Sequence, residues 1–138
     1  MTFAGINYLA VIIAAIAAFV FGAAWYGVLG KQWQAALGKS PTDGKGKSMP
    51  VGPMVITFIA LIVMAWMLAG VIGHLGPGQV TLKNGILSGA FLWFGFVVTT
   101  LAANHAFQGQ KPLLTAIDGG HWLGVLVIEG AVIGAFGV

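Results

Sequence analysis

Apolar residues fill the chain in four long runs, at about 4 to 30, 51 to 74, 81 to 106 and 112 to 137. An α-helix needs roughly 20 residues to cross the hydrocarbon core of a bilayer, so the pattern predicts four transmembrane helices. Between the first two runs lies KQWQAALGKSPTDGKGKSMP, residues 31–50, whose Gly, Ser, Pro and Lys content marks a solvated loop. Its start is a short amphipathic stretch in which Trp33 and Leu37 are expected to rest at the membrane interface. The other two connections are tight, LGPGQ from Leu75 to Gln79 and FQGQK from Phe107 to Lys111. Short connections make consecutive helices antiparallel neighbours. The expected fold is therefore all-α, a single transmembrane domain built as an up-down bundle of four helices.

Composition agrees with the pattern, at 59% hydrophobic and 7% charged residues, against about a quarter charged in soluble proteins. The chain reads as an integral membrane protein. Six lysines without an arginine offer nucleic acid little to bind, and anionic lipid headgroups are the expected acidic neighbours. The absence of cysteine excludes disulfides, thiol nucleophiles and cysteine metal sites. Lys31, Lys39, Lys45, Lys47 and Lys111 lie on the side of the first and third loops, and Lys83 alone on the other. The positive-inside rule then puts the lysine loop in the cytoplasm and both termini outside it, across a bacterial inner membrane. Trp25, Tyr26 and Trp33 fall near the inner boundary, as an aromatic belt would. The first apolar run, without a basic leader and too long for the core of a signal peptide, reads as a retained helix.

Motif readings narrow the field mostly by exclusion. DGKGKS, from Asp43 to Ser48, ends like a phosphate-binding loop, but Pro41 stands where its first glycine belongs, and no strand precedes it. Small residues spaced by four let helices approach closely, and they recur as Ala14, Ala18 and Gly22, as Gly85 and Gly89, and as the pairs Gly120/Gly124 and Gly130/Gly134. The histidines are His74, His105 and His121. Folding the last two helices back on each other separates His105 from His121 by about 10 Å in depth, so a bis-histidine haem clamp within one chain is not expected. His105 or His121 as the single ligand of a pigment, haem or metal stays open, though no cofactor is predicted. Asp118 and His121, one turn apart, suit either an acid-base pair or a plain hydrogen-bonded pair. No nucleophile or metalloprotease motif accompanies them, which weighs against an enzyme.

The last helix holds the most pointed chemistry. At about 100° per residue, Asp118, His121 and Glu129 share one side and the four glycines the other. A carboxylate in mid-membrane costs about 2.5 to 3.5 kcal/mol on insertion scales, so Asp118 and Glu129 should face protein or water. A helix covered on two opposite sides implies a second copy or a larger partner against it. The alternative is that the carboxyls are protonated and paired inside one bundle with Thr99, Thr100 or Ser88.

Four features together resemble the DUF1761 family, a domain of unknown function found in small bacterial membrane proteins. They are Trp25-Tyr26 with Gly30-Lys31-x-Trp33 beyond it, LWFGFVVTTL from Leu92 to Leu101, the Asn104-x-x-Phe107 step into a short Gly-Lys loop, and the polar-Gly-aromatic opening of the last helix. The resemblance implies about four membrane helices and leaves the biochemical role unassigned. It also implies an amide at position 118 and an aromatic at 121, from which Asp118 and His121 depart, with no counterpart for Glu129.

Two functions follow from these residues. One is a non-enzymatic membrane protein acting as a homo-oligomeric scaffold or as an accessory subunit of a larger membrane complex. The other is a small oligomeric transporter or channel, linked to protons or cations through Asp118, His121 and Glu129.

Overall fold

A computed structural model describes residues 5–39 and 50–138. The phosphate-loop-like stretch from Asp43 to Ser48 lies outside the described residues. Local side chains explain where the helices begin. Asn7 opens the first helix, Tyr8–Ala36, its side-chain oxygen accepting from the Ala10 N–H at 3.1 Å, and so satisfies one of the donors a helix start leaves free. The second helix, Val51–Gly73, follows Pro50. Thr81 caps the third, Leu82–Phe107, by accepting from the Asn84 N–H at 3.2 Å. The fourth, Pro112–Phe136, starts on a proline, where no N–H is needed. Gly109, at φ +69°, supplies the left-handed residue of the tight turn before it.

All four helices are long and apolar enough to cross a membrane. The protein is all-α and multi-pass.

Two local features depart from the sequence pattern. The first helix runs to Ala36, through residues expected to form a loop. Its extra turns are held by tertiary contact, because Trp33 points inward and bonds to the last helix. The third helix is not α-helical throughout. Trp93–Val97 forms a π turn in which the Val98 N–H bonds back to the Trp93 carbonyl. In a straight α-helix His105 would sit about 160° from Gly89, and one inserted residue cuts this to about 60°. The π turn thereby keeps both Gly89 and the buried His105 on the side facing the fourth helix.

The fourth helix is the axis of the bundle. It touches all three others, whereas among the described residues the first and third make no contact with each other. Thr81, Gly85 and Gly89 of the third helix meet Gly134, Gly130 and Leu126 of the fourth in turn, which is an antiparallel register. The Gly85 and Gly130 backbones sit so close that a Cβ on either would overlap the carbonyl of the other. On the opposite flank, the rings of Phe21 and Trp25 of the first helix sit against Gly124 and Gly120. The glycine side is thus divided between two helices rather than packed on one. Between the first, second and fourth helices, Val11, Ala14, Ala65, Leu68, Ile72, Leu126 and Ile133 close the apolar core.

This packing corrects the reasoning that a second chain must cover the acidic side of the last helix. Glu129 is 0% exposed within the single chain. Its helical neighbours Val125, Leu126 and Ile133 pack among core residues of the first two helices. Because the first and third helices both sit on glycine, they come close enough to let the second helix reach the fourth. The span left least enclosed is the third, with Phe91, Phe94 and Phe96 directed outward.

Candidate functional site: aromatic donors around Asp118

The opening turns of the fourth helix gather a cluster of hydrogen-bonding side chains from three helices. Tyr26 donates its hydroxyl to Asp118 Oδ1 at 2.6 Å, and Trp33 donates its indole N–H to the same oxygen at 3.2 Å. Trp25 donates to the Ile117 carbonyl at 3.0 Å from the first helix, and Trp93 to the Gly119 carbonyl at 2.8 Å from the third. Four aromatic donors therefore converge on three consecutive residues.

Helical carbonyls have a second lone pair to offer, and an indole or phenol in hydrocarbon has no water to satisfy it. Trp25, Tyr26 and Trp33 were expected at the membrane boundary as a belt. Whatever their depth, their polar atoms point inward and tie the first helix to the last. Sequence reasoning carried Trp93 only inside the family-like stretch LWFGFVVTTL and gave it no role, because spacing does not reveal that it lies opposite Gly119.

His105 completes the cluster. Its Nδ1 lies 2.8 Å from the Thr115 hydroxyl, while Nε2 stands 3.9 Å from Asp118 Oδ2. That second separation is too long for a hydrogen bond. Asp118 does not pair with His121, as an acid-base or hydrogen-bonded couple on one helix would require. Its carboxylate is turned instead toward Tyr26, Trp33 and His105.

His121 has different surroundings. It stacks on Phe21 with centroids 6.1 Å apart, touches Tyr26 at 4.9 Å, and meets Trp122 edge-on at 4.7 Å. It is 5% exposed, and its Nδ1 has no hydrogen-bond partner. Both carboxyl oxygens of Glu129 are likewise buried without a partner. Thr99 and Thr100 do not supply one, since their hydroxyls bond to the Gly95 and Phe96 carbonyls on the outer side of the third helix. His74 is held by its own helix, with Nδ1 at 2.7 Å from the Gly70 carbonyl. Among the described residues no three His, Asp or Glu side chains converge as a metal-binding group.

Asp118, His121 and Glu129 thus occupy three environments: a hydrogen-bonded cluster, an aromatic box and an apolar core. The class defined by this arrangement is a small multi-pass membrane protein, tied by aromatic hydrogen bonds around the opening of its last helix. The chain belongs to the family described as protein of unknown function (DUF1761), whose profile matches residues 9–134. No curated protein and no solved structure matches it.

Proposed function

We propose that the protein works by packing, as a non-enzymatic subunit that assembles with copies of itself or within a larger complex of the bacterial inner membrane. The observation that carries this reading is the uneven enclosure of the helices. The chain seals its own carboxyl-bearing helix at the centre, yet holds the third along a narrow glycine seam. That helix leaves the small residues Gly95, Thr99, Ala102 and Ala106 exposed along its length, beside exposed Phe91 and Phe94, with Ala102 and Ala106 at the edge of its groove with the fourth helix. Small exposed residues let a second helix approach, and phenylalanines beside them give that helix area to bury.

The cluster of donors clamping Asp118 supports the same reading, because the carboxylate is already committed to Tyr26 and Trp33, which join the first helix to the last. The termini are placed outside the cytoplasm and the lysine loop inside, from the lysine distribution alone. The test is native mass measurement in mild detergent and in lipid nanodiscs. Two or more protein chains per particle are expected, reduced to one by Ala102→Leu. An unaccompanied monomer in both media overturns the reading.

Proton- or cation-linked transport is the second reading, favoured by the unpartnered polar atoms of His121 and Glu129. Packing alone gives those atoms nothing to do. Reconstituted liposomes should then show a pH-dependent flux that Glu129→Gln abolishes while assembly persists. The absence of any such flux in the unmodified protein removes this reading.

A further inference from the structure

A cavity of about 510 Å³ lies between the first and second helices and is closed at the back by His121 and Trp122 of the fourth. Its rim includes Ala23, Pro50 and Pro53, all exposed, so it opens sideways toward the bilayer rather than along the bundle axis. From Pro50 to Leu61 it runs about 16 Å along the second helix, roughly half of the hydrocarbon thickness. Its volume is within the range usual for small-molecule sites, and apolar and aromatic walls with one placed polar group are their usual chemistry.

The polar group here is His121. Tyr26 and Thr57 also line the cavity, but their hydroxyls are committed to Asp118 at 2.6 Å and to the Pro53 carbonyl at 2.8 Å. The Nδ1 of His121 is sealed inside the bundle, so the nitrogen offered at the cavity wall is Nε2, which lies beside Gly22. Gly22 keeps the imidazole uncovered, since a Cβ there would come within 2.8 Å of Nε2. The first helix therefore gives up a side chain where the ring meets the cavity.

We propose that this cavity binds a neutral, ring-headed membrane lipid of the quinone type. The flat head lies among Phe19, Trp122 and Met54 with its oxygen on His121, and the hydrocarbon tail leaves past Ala23 and Pro53 into the bilayer. Among the described residues no charged side chain lines the cavity, which disfavours an ionic headgroup. A neutral imidazole carries one donor and one acceptor, so it can meet either a quinone carbonyl or a quinol hydroxyl. The site is complete within one chain and does not depend on whether copies assemble.

The test uses the full chain in phosphatidylcholine nanodiscs, titrated with decylubiquinone and followed by tryptophan quenching. Saturable binding of one probe per chain is expected. Gly22→Leu, which fills the approach to the ring, and His121→Phe, which keeps the ring shape and removes the nitrogens, should each weaken binding at least tenfold. Met54→Phe, at the cavity wall and away from the core, should weaken it as well and guards against a fold defect in Gly22→Leu. Gly95→Ala, in open space on the third helix, should leave affinity unchanged. Quenching that rises linearly and equally in all variants is mere partitioning into the membrane and overturns the proposal. Undiminished affinity in His121→Phe does so too, as does a retained phospholipid that the probe fails to displace.

Discussion

Substituting Gly85 by alanine separates backbone contact from every other role a glycine has. In the seam between the third and fourth helices, the added methyl meets not a flexible side chain but the Gly130 carbonyl, at a separation no real Cβ adopts. The two helices must part, and the neighbouring contacts of Gly89 with Leu126 and of Gly134 with Thr81 loosen with them. Overpacking of this kind costs about 1 to 3 kcal/mol. Replacing glycine in a helix returns up to about 1 kcal/mol through backbone entropy. The net expectation for Gly85→Ala is a loss of about 1 to 2 kcal/mol.

Gly95, on the same helix but with open space around it, provides the control. Gly95→Ala should be neutral or stabilising by up to about 1 kcal/mol. Because Gly85 and Gly130 obstruct each other reciprocally, the double alanine variant should cost less than the sum of the single variants by about 1 kcal/mol, the first methyl having already opened the seam. Reversible unfolding in mixed dodecyl maltoside and SDS micelles, followed by circular dichroism, measures all four proteins. Equal effects at positions 85 and 95, or additivity of Gly85→Ala with Gly130→Ala, would refute the close-contact reasoning.

Three further outcomes follow from the hydrogen bonds. Both donors to Asp118 reach the same oxygen, so Asp118→Asn should retain them and change stability by less than about 1 kcal/mol, whereas Asp118→Leu should cost about 2 to 4 kcal/mol by stranding Tyr26 and Trp33. Equal losses from the two variants in the same micellar unfolding assay would show that charge, not acceptance, holds the clamp. Trp93→Phe should cost about 1 to 2 kcal/mol through loss of the bond to the Gly119 carbonyl, with a loosened π turn read as faster amide exchange near Val98. Glu129→Leu, close in volume and without unpartnered oxygens, should stabilise the fold by about 1 to 3 kcal/mol. Thermal unfolding at a lower temperature than the parent would mean that the carboxyl has a partner in the membrane.

Much of the candidate site was legible as residues and little of it as a site. Asp118, His121 and Glu129 stand out in any apolar helix because charge and imidazole are expensive there. Their shared side of the helix follows from a fixed angle per residue. What they touch does not, since Tyr26 and Trp33 lie more than eighty positions away in the chain. The scattered features that resembled the family turn out to meet. Trp25, Tyr26 and Trp33 from one end and Trp93 from the middle all bond to the polar-Gly opening of the last helix. The single acceptor oxygen also explains how an amide could serve at position 118 as well as the acid found here.

The sequence by itself determined that there are four membrane-spanning helices, with polar residues on one side of the last and glycines on the other. Hydrocarbon leaves the backbone no partner outside the helix, so length and apolarity decide the elements without reference to their neighbours. Only the tertiary structure decided which helix lies at the centre, and therefore that the chain covers Glu129 without help. Periodicity assigns residues to sides of a helix, but not the sides to partners. Gly120 and Gly124 went to the first helix and Gly130 and Gly134 to the third, because a flat backbone accepts aromatic rings and another backbone equally well. That division placed the fourth helix between its neighbours and left Glu129 enclosed beside core residues of the first and second.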